Sequence, residues 1–188
     1  MSRTIYRTNK VPRELNQGGT STSETLFTTD GTQAVDILLP QNILGPNTST
    51  GRQFLHVRVL ASGRVTGGTT TNYTPKLYWG RSNTIGSNTS IGTGAAVAVN
   101  SNSGLWTIDA ELYIVVTGTA LARVDGHFRN MVAGSTRTFT ASAVTTNSIT
   151  SQDDTSTTLL GLTVTGTFSS GNASNAAYLD EFLMEVYE

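Results

Sequence analysis

The sequence has 188 residues, enough for one domain with a hydrophobic core and too few for two comfortable ones. Only 13% of the residues are charged and the net charge is -1, so the chain has no overall field that would attract nucleic acid or an acidic membrane. Cysteine is absent, which excludes disulfides and thiolate metal sites and fits synthesis in a reducing cytoplasm.

Residues 1–24 differ from the rest of the chain. They carry four cations against two carboxylates and run into a stretch rich in Gly, Ser and Thr, with no apolar run of the signal-peptide or membrane-spanning kind. We therefore expect a protein that does not use the general secretory route and has no membrane partner. We interpret these residues as an extended N-terminal arm that is either disordered in isolation or ordered on a neighbouring subunit. The residues predicted to make the contacts of the arm are Arg3, Tyr6, Arg7, Lys10 and Arg13.

From residue 25 to the end, β-favouring stretches alternate with turns rich in Gly, Asn, Asp and Ser. No segment has a convincing helical period. We expect residues 62–68 to form a turn and 80–94 a polar loop or broken strand, and Pro75 predicts that its strand lies at a sheet edge or begins there. The predicted strands are 25–28, 33–39, 53–61, 73–79, 95–99, 105–117, 120–132, 137–145, 158–168 and 177–187.

The clearest strand is 105–117, in which apolar and polar residues alternate without a break. A period of two is typical of a strand, because successive side chains leave opposite faces, and the apolar face needs an opposing sheet. Eight to ten strands with several long connections predict an all-β fold, a single jelly-roll sandwich of two antiparallel sheets over residues 25–188. The residues predicted to face inward are Trp106, Ile108, Ala110, Leu112, Ile114 and Val116, and those predicted to face outward are Thr107, Asp109, Glu111 and Tyr113.

Few residues are candidates for chemistry. His56 is on the outward parity of its strand, so we interpret it as a solvated or interface residue. Asp125 and His127 are two positions apart and would share a strand face, as a metal-ligand or acid/base pair does, but no third and fourth ligand is identifiable. We therefore predict no metal site here.

Asp109 and Glu111 also share a face of their strand. They are candidates for paired carboxylates or calcium ligands, but we favour a solvated face or pairing with Arg123 across the hairpin. Serines are plentiful, yet none lies in a nucleophile-elbow pattern. We expect no catalytic residues and no cofactor.

Four segments of the sequence carry a resemblance to a known family: FLHVRVLASGRV, TPKLYWGRS, SGLWTIDAELYIV and the C-terminal LLGLTVTGTFSSGNASNAAYLDEFLMEVYE. Over residues 50–188 the chain resembles jelly-roll virion proteins of tailed bacteriophages, among which the capsid decoration or cement proteins are similar in size. The resemblance implies a homotrimer on the capsid surface, standing at a local three-fold axis and bridging neighbouring major capsid subunits. It implies a virion protein made in the host cytoplasm. The arm has no matching family motif.

Two other functions remain open from the sequence. Tyr73, Tyr78 and Trp79, with the polar loops 82–92 and 169–175, are candidates for a shallow site through which a phage tail or fibre component recognises a host glycan. The same aromatic residues are alternatively core residues, the interpretation we favour, or anchors of a subunit interface. A small-virus coat protein with a genome-binding arm is the third interpretation, but four dispersed cations make a weak nucleic-acid site, so we expect no nucleic-acid partner.

Overall fold

The computed structural model describes residues 3–7, 14–15, 21–29, 33–34, 36–38, 54–68, 71–80, 84–101, 104–116, 121–133, 137–150 and 161–187. Within these ranges the chain forms sixteen strands and one short 3₁₀ helix, Ile85–Ser87. No helix in this part of the chain has the length and apolar character needed to span a membrane. The strands are β1 (Arg3–Arg7), β2 (Glu14–Leu15), β3 (Thr25–Leu26), β4 (Thr28–Thr29), β5 (Gln33–Ala34), β6 (Asp36–Leu38), β7 (Phe54–Thr66), β8 (Thr71–Trp79), β9 (Thr89–Thr93), β10 (Val97–Val99), β11 (Gly104–Val116), β12 (Leu121–Ala133), β13 (Arg137–Thr150), β14 (Gly161–Phe168), β15 (Ala176–Tyr178) and β16 (Glu181–Tyr187).

The strands form two antiparallel sheets and one small ladder. The large sheet has the order β1-β16-β7-β11-β12-β13, with β15 paired to β7 and β2 paired to β15. The small sheet has the order β10-β8-β14-β3, with β6 paired to β14 and β9 paired to β8, while β4 pairs with β5. The predicted all-β sandwich of two antiparallel sheets is confirmed. The jelly-roll strand order is not established by these pairings, because β11, β12 and β13 follow one another as neighbours in one sheet.

β11 lies at the centre of the large sheet and has the predicted alternation. Its apolar residues from Trp106 to Ile114 are buried against the small sheet, and its polar residues lie on the opposite face. The Trp106 ring stacks on Phe27 at a centroid distance of 5.5 Å and lies 6.1 Å from Tyr73, and its Nε1 donates a hydrogen bond to the carbonyl of Tyr178 at 2.9 Å. Trp106 therefore joins the two sheets of the sandwich.

The last part of β7 was predicted to be a turn, and that prediction is wrong. The strand continues to Thr66, with alternating burial along its whole length. The sequence Ser62-Gly63 is a turn signal in isolation, but here the missing side chain of Gly63 leaves space for the main chain of Tyr178. A Cβ atom at Gly63 would lie 1.8 Å from the Tyr178 carbonyl oxygen. The glycine therefore permits a close approach of two chain segments rather than a turn.

β8 is an interior strand, which corrects the prediction of an edge. It pairs with β14 on one side and with β10 and β9 on the other. Pro75 lies between the residues that pair with β10 and those that pair with β9, and its carbonyl accepts a hydrogen bond from the Gly94 amide at 2.8 Å. The proline is therefore placed where the outer ladder is interrupted. The predicted final strand is likewise interrupted, and forms β15 and β16.

The N-terminal segment is partly integrated into the large sheet. β1 pairs along its whole length with β16 of the same chain, and β2 pairs with β15. Residues 3–7 and 14–15 of the predicted arm therefore pair with strands of the same chain, while the domain boundary after residue 24 remains a prediction. Tyr6 and Arg7 are the register partners of Met184 and Leu183. Lys10 and Arg13 lie outside the described residues, and the predicted contacts of the arm with a neighbouring subunit remain a prediction.

Glu24 anchors the segment before β3 to the small sheet. Its carboxylate accepts hydrogen bonds from Lys76 Nζ and from Thr165 Oγ1, both at 2.5 Å. Burial acts to raise the pKa of Glu24, but the hydrogen bonds from Lys76, Thr165 and Tyr78 outweigh it and lower the pKa. Burial and the neighbouring Glu24 raise the pKa of Tyr78 to about 12. The ionised form of Glu24 therefore stabilises the fold.

We expect the stability contributed by Glu24 to be lost in acid. Because its pKa in the folded protein is below the ordinary value of 4.5, the stabilisation is present above pH 4.5 and is lost as the pH falls below it. Melting temperatures of the native chain and Glu24→Gln, measured between pH 7 and pH 3, should differ most at pH 7 and converge in acid. A difference that stays constant over this range would contradict the assignment.

Candidate functional site on the outer face of the large sheet

The outer face of the large sheet is the surface opposite the core on β1, β16, β7, β11 and β12. Directly opposed residues of neighbouring antiparallel strands point to the same side, so the register arranges this face in rows. The first row is Asp125, Tyr113, His56, Tyr187 and Arg3. The second row is His127, Glu111, Arg58, Glu185 and Ile5.

The first row contains a stack of aromatic rings. The imidazole of His56 lies between two tyrosines, with ring centroids 4.5 Å from Tyr113 and 4.7 Å from Tyr187. Phe54 continues the stack at 6.2 Å from Tyr113. His56 faces outward, as its parity predicts, and its two neighbouring rings hold it in one orientation. This row is therefore a preorganised surface.

Arg58 and His56 connect β7 to the carboxylates of β11. Arg58 donates two hydrogen bonds to Asp109, from Nε at 2.9 Å and from Nη2 at 3.0 Å, and these bonds raise the pKa of Arg58. His56 Nε2 lies 2.9 Å from Glu111 Oε1, and the Tyr113 hydroxyl donates to the same oxygen at 3.1 Å. The hydrogen bonds from His56 and Tyr113 lower the pKa of Glu111. The charges on this part of the face are thus already paired.

Glu185 lies at the β1 side of the outer face and is only 7% exposed. It accepts a hydrogen bond from the Tyr187 hydroxyl at 2.9 Å and forms an ion pair with Arg3 at 3.3 Å. The hydrogen bond to Glu185 raises the pKa of Tyr187. Arg3, predicted as an arm contact, therefore contacts its own chain in this structure and holds β1 to β16.

The outer face also carries the large hydrophobic side chains that the described residues expose. Ile5 is 41% exposed, Phe54 51% and Leu105 57%. Register places each of them on the same side of the sheet as the paired charges, on β1, β7 and β11 respectively. The three side chains lie on different strands. The outer face therefore has dispersed apolar groups among polar side chains that are hydrogen-bonded to one another.

A shallow depression lies in the middle of the outer face. Its volume is about 220 Å³, and its lining residues are Arg58, Asp109, Glu111, Arg129 and Tyr187. Arg129 is exposed and stands opposite Asp109 in the β11–β12 ladder. The lining groups are hydrogen-bond donors and acceptors, and the volume is below the range of about 300–1,000 Å³ found for pockets that enclose drug-sized ligands. The depression can therefore receive one small polar group.

The structure changes the interpretation of several predicted site residues. Tyr73, Tyr78 and Trp79 are buried, which agrees with the favoured interpretation as core residues and corrects the two alternatives, a glycan site and a subunit interface. Arg123 pairs with Asp125 at 2.6 Å rather than with the carboxylates of β11. The reason is the register of the hairpin, which places Arg123 opposite Val115.

The structure does not bring the predicted metal-ligand pair together with further ligands. Asp125 forms the ion pair just described, and His127 stands opposite Glu111 on the outer face. Among the residues that the structure describes, no group of three or more His, Cys, Asp or Glu side chains is arranged to hold a metal ion.

Several residues of the outer face were not singled out as site residues by the sequence. Phe54, Leu105 and Tyr187 each belong to a strand whose outward parity was visible, but parity alone does not show which strands are neighbours. β7 and β11 are separated by 37 residues of sequence, from 67 to 103, and only their pairing places Arg58 beside Asp109. The sequence feature that could have identified these residues is an apolar or aromatic residue at an outward position of its strand.

Comparisons with known proteins give little further information. No family model matches the chain, and no curated protein matches it. Among solved structures, the chain is similar to the CBM2 module of the evolved Dit of Lactobacillus casei BL23 phage J-1, with 7% identity over 98% of this chain and 97% of that chain and a TM-score of 0.27. A TM-score this low supports no conclusion about function, which has to be inferred from the residues of this chain.

Proposed function

We propose that this chain is a structural protein of a bacteriophage virion that binds the outside of the capsid. In this proposal it acts as a homotrimeric decoration or cement protein and bridges neighbouring major capsid subunits. The observation that supports it best is the position of Ile5, Phe54 and Leu105, the exposed large hydrophobic side chains of the described chain, on one face of one sheet. A partner that covers this face would bury the three side chains, and removing their apolar area from water would contribute to the free energy of binding.

The polar part of the outer face also suits a protein partner. Protein interfaces are enriched in aromatic residues and arginine. The outer face provides the stack around His56 and a bidentate Arg58–Asp109 pair, so a partner does not need to pair these charges itself. Because the side chains are already held in place, little conformational entropy would be lost on binding.

The size of the face favours binding by several copies at once. Five strands spaced about 4.8 Å apart are about 19 Å wide, and the ten-residue separation from Leu105 to Val115, the register partner of Phe54, is about 34 Å long. The resulting area, roughly 650 Å², is less than the roughly 800 Å² per partner of a standard interface. Three linked copies would bind more tightly than one, because the second and third contacts become intramolecular.

The proposed mechanism is mechanical. A trimer that contacts two or more capsid subunits has to be detached from at least one of them before the subunits separate. The binding free energy of that contact therefore adds to the free energy needed to separate the subunits. Such a contact opposes the outward pressure of packaged DNA. It uses no bond-breaking step, and we propose no catalytic residue, metal or cofactor.

The proposal is tested by binding to capsids. Purified chain is mixed with undecorated capsids of the phage that encodes it, and bound protein is measured after sedimentation. We expect the double variant Phe54→Glu/Leu105→Glu to lose at least about ten-fold in affinity, because two charges enter an apolar contact. A matched control, Thr93→Glu/Ala98→Glu, adds two charges to exposed positions of the small sheet and should bind normally.

The melting temperature of both double variants should stay near that of the native chain, since all four positions are exposed. Undiminished capsid binding by Phe54→Glu/Leu105→Glu would exclude the outer face as the contact surface. Equal loss in both variants would show a general effect of added charge rather than a specific contact.

A tail or fibre component that recognises a host glycan is the second candidate function. The observation in its favour is the depression, whose arginines, carboxylates and tyrosine can hydrogen-bond sugar hydroxyls. In this case the site would be the depression and not the buried aromatic residues of β8. Binding of the chain to host cells but not to capsids would favour this function.

A further inference from the structure

β13 leaves one edge of the large sheet open. It pairs with β12 on one side, and among the described strands none pairs with its other side. β9 of the small sheet approaches β13, but its ladder is formed with β8. An unpaired strand edge presents a row of backbone N–H and C=O groups that can pair with another chain.

Residues 138–150 of β13 lack the charges and prolines that usually protect such an edge, and the ladder of β13 with β12 has a register shift between Thr146 and Ile149. The strand is 14 residues long, and after Arg137 it contains no charged residue and no proline up to Thr150. Its residues include five Thr, one Val and one Ile, which favour extended structure. Exposed edges are normally short, charged, bulged or covered, so a long uncharged edge indicates a strand that is covered by a partner.

The large sheet has a second open edge at its opposite end. β1 pairs with β16 on one side, and within the part of the chain that is described no strand pairs with its other side. β1 has five residues and carries Arg3 and Arg7 near its two ends. One copy of the sheet therefore presents a short basic edge and a long uncharged edge that cannot meet within one chain.

We propose that these edges pair between copies, with β1 of one copy joining β13 of the next. This inference rests on the homotrimer of the proposed function and identifies the strands that build it. A head-to-tail contact uses two different surfaces and forms a closed ring when the rotation returns to the first copy, here after three copies. Each ring then has no unpaired β1 edge, and each β13 edge is covered by a neighbouring β1 over five of its 14 residues.

The charges of the two strands favour this pairing over pairing of like strands. Two β1 strands in full antiparallel overlap would place Arg3 opposite Arg7, and like charges directly opposed are unfavourable. β1 against residues 138–150 of β13 meets no charge. Pairing of two β13 strands avoids charge repulsion as well, but it leaves both β1 edges open and closes at two copies.

The absence of cysteine from the chain allows a direct test by disulfide cross-linking. Ile5→Cys is combined in the full chain with Ala141→Cys or Ala143→Cys, whose positions are the register partners of Arg129 and His127. After mild oxidation by diamide, we expect at least one combination to give a covalent species of three times 19.9 kDa on a non-reducing gel. Each single variant should run as the uncross-linked monomer on the same non-reducing denaturing gel. Phe54→Cys with Ala143→Cys is the matched control, because Phe54 is exposed but lies on a central strand.

The possible results separate this inference from the proposed function. Covalent dimers from Ala143→Cys alone would show pairing of two β13 strands and overturn the inference. Absence of cross-links in every combination, with capsid binding by the native chain, would also overturn it and leave the proposed function intact. Cross-linked trimers, with no capsid binding by the native chain, would support the inference and count against the capsid function.

Discussion

Replacing Trp106 by alanine should lower the free energy of unfolding by about 3–5 kcal/mol, the range found when a buried aromatic residue is truncated. The ring is fully buried, stacks on Phe27, and is close to Tyr73 of the small sheet. Its removal leaves a cavity between the sheets and takes the Nε1 donor away from the carbonyl of Tyr178. Chemical denaturation of the native chain and the variant measures the loss.

Trp106→Phe separates packing from hydrogen bonding. Phenylalanine keeps most of the apolar contact with Phe27 but lacks the Nε1 donor to Tyr178. We expect it to lose about 1–3 kcal/mol, less than the alanine variant. It also remains measurable if Trp106→Ala fails to fold. A loss below about 1 kcal/mol for Trp106→Ala would contradict the assignment of this ring to the centre of the sandwich.

Gly63→Ala is expected to be the second most damaging change, although it adds only a methyl group. The new Cβ would lie 1.8 Å from the Tyr178 carbonyl oxygen and 2.9 Å from Trp106 Nε1. Backbone atoms cannot move aside as a flexible side chain does, so β15 has to shift away from β7. Overpacking of this kind costs about 1–3 kcal/mol, and the concurrent distortion of the Trp106 hydrogen bond should place Gly63→Ala at the upper end.

The control for Gly63→Ala is Gly86→Ala. Gly86 lies in the 3₁₀ helix, and a Cβ atom there would meet no atom within 4 Å. We expect its melting temperature to remain close to that of the native chain. Equal melting temperatures for both alanine variants and the native chain would contradict the close approach of β15 to Gly63.

The long strands could be predicted because apolar and polar residues alternate within each segment. The segment around β11 has a period of two over its whole length, and the segments of β7 and β12 support the same assignment, so the sandwich was visible in the sequence. β1 was not predicted, because five residues without a clear period carry no local signal and its pairing with β16 spans nearly the whole chain.

Some interactions were missed because a local sequence pattern does not show which remote strands are neighbours. The sequence indicated Arg123 as a partner for Asp109 and Glu111, since hairpin strands are neighbours. The structure instead provides Arg58 and His56 from β7, a strand that is remote in sequence. Gly63 was interpreted as a turn residue for a similar reason, because the carbonyl that requires a glycine belongs to a segment 115 positions later.

The polar stretch that follows β8 led to the aromatic residues of β8 being considered for a surface site. Trp79 precedes a polar stretch, so it was a candidate for a surface site. In the structure that stretch contains β9, whose ladder with β8 begins at Trp79, and the ring is buried. The exposed hydrophobic residues were recognisable only once the neighbours of each strand were known.

Electron cryomicroscopy of capsids with the purified chain bound would show which surface of the chain contacts the capsid. We expect three copies around each occupied local three-fold position, with the outer face of the large sheet against the capsid and Phe54 and Leu105 at the contact. Copies attached through the small sheet, or density confined to the tail, would contradict this expectation.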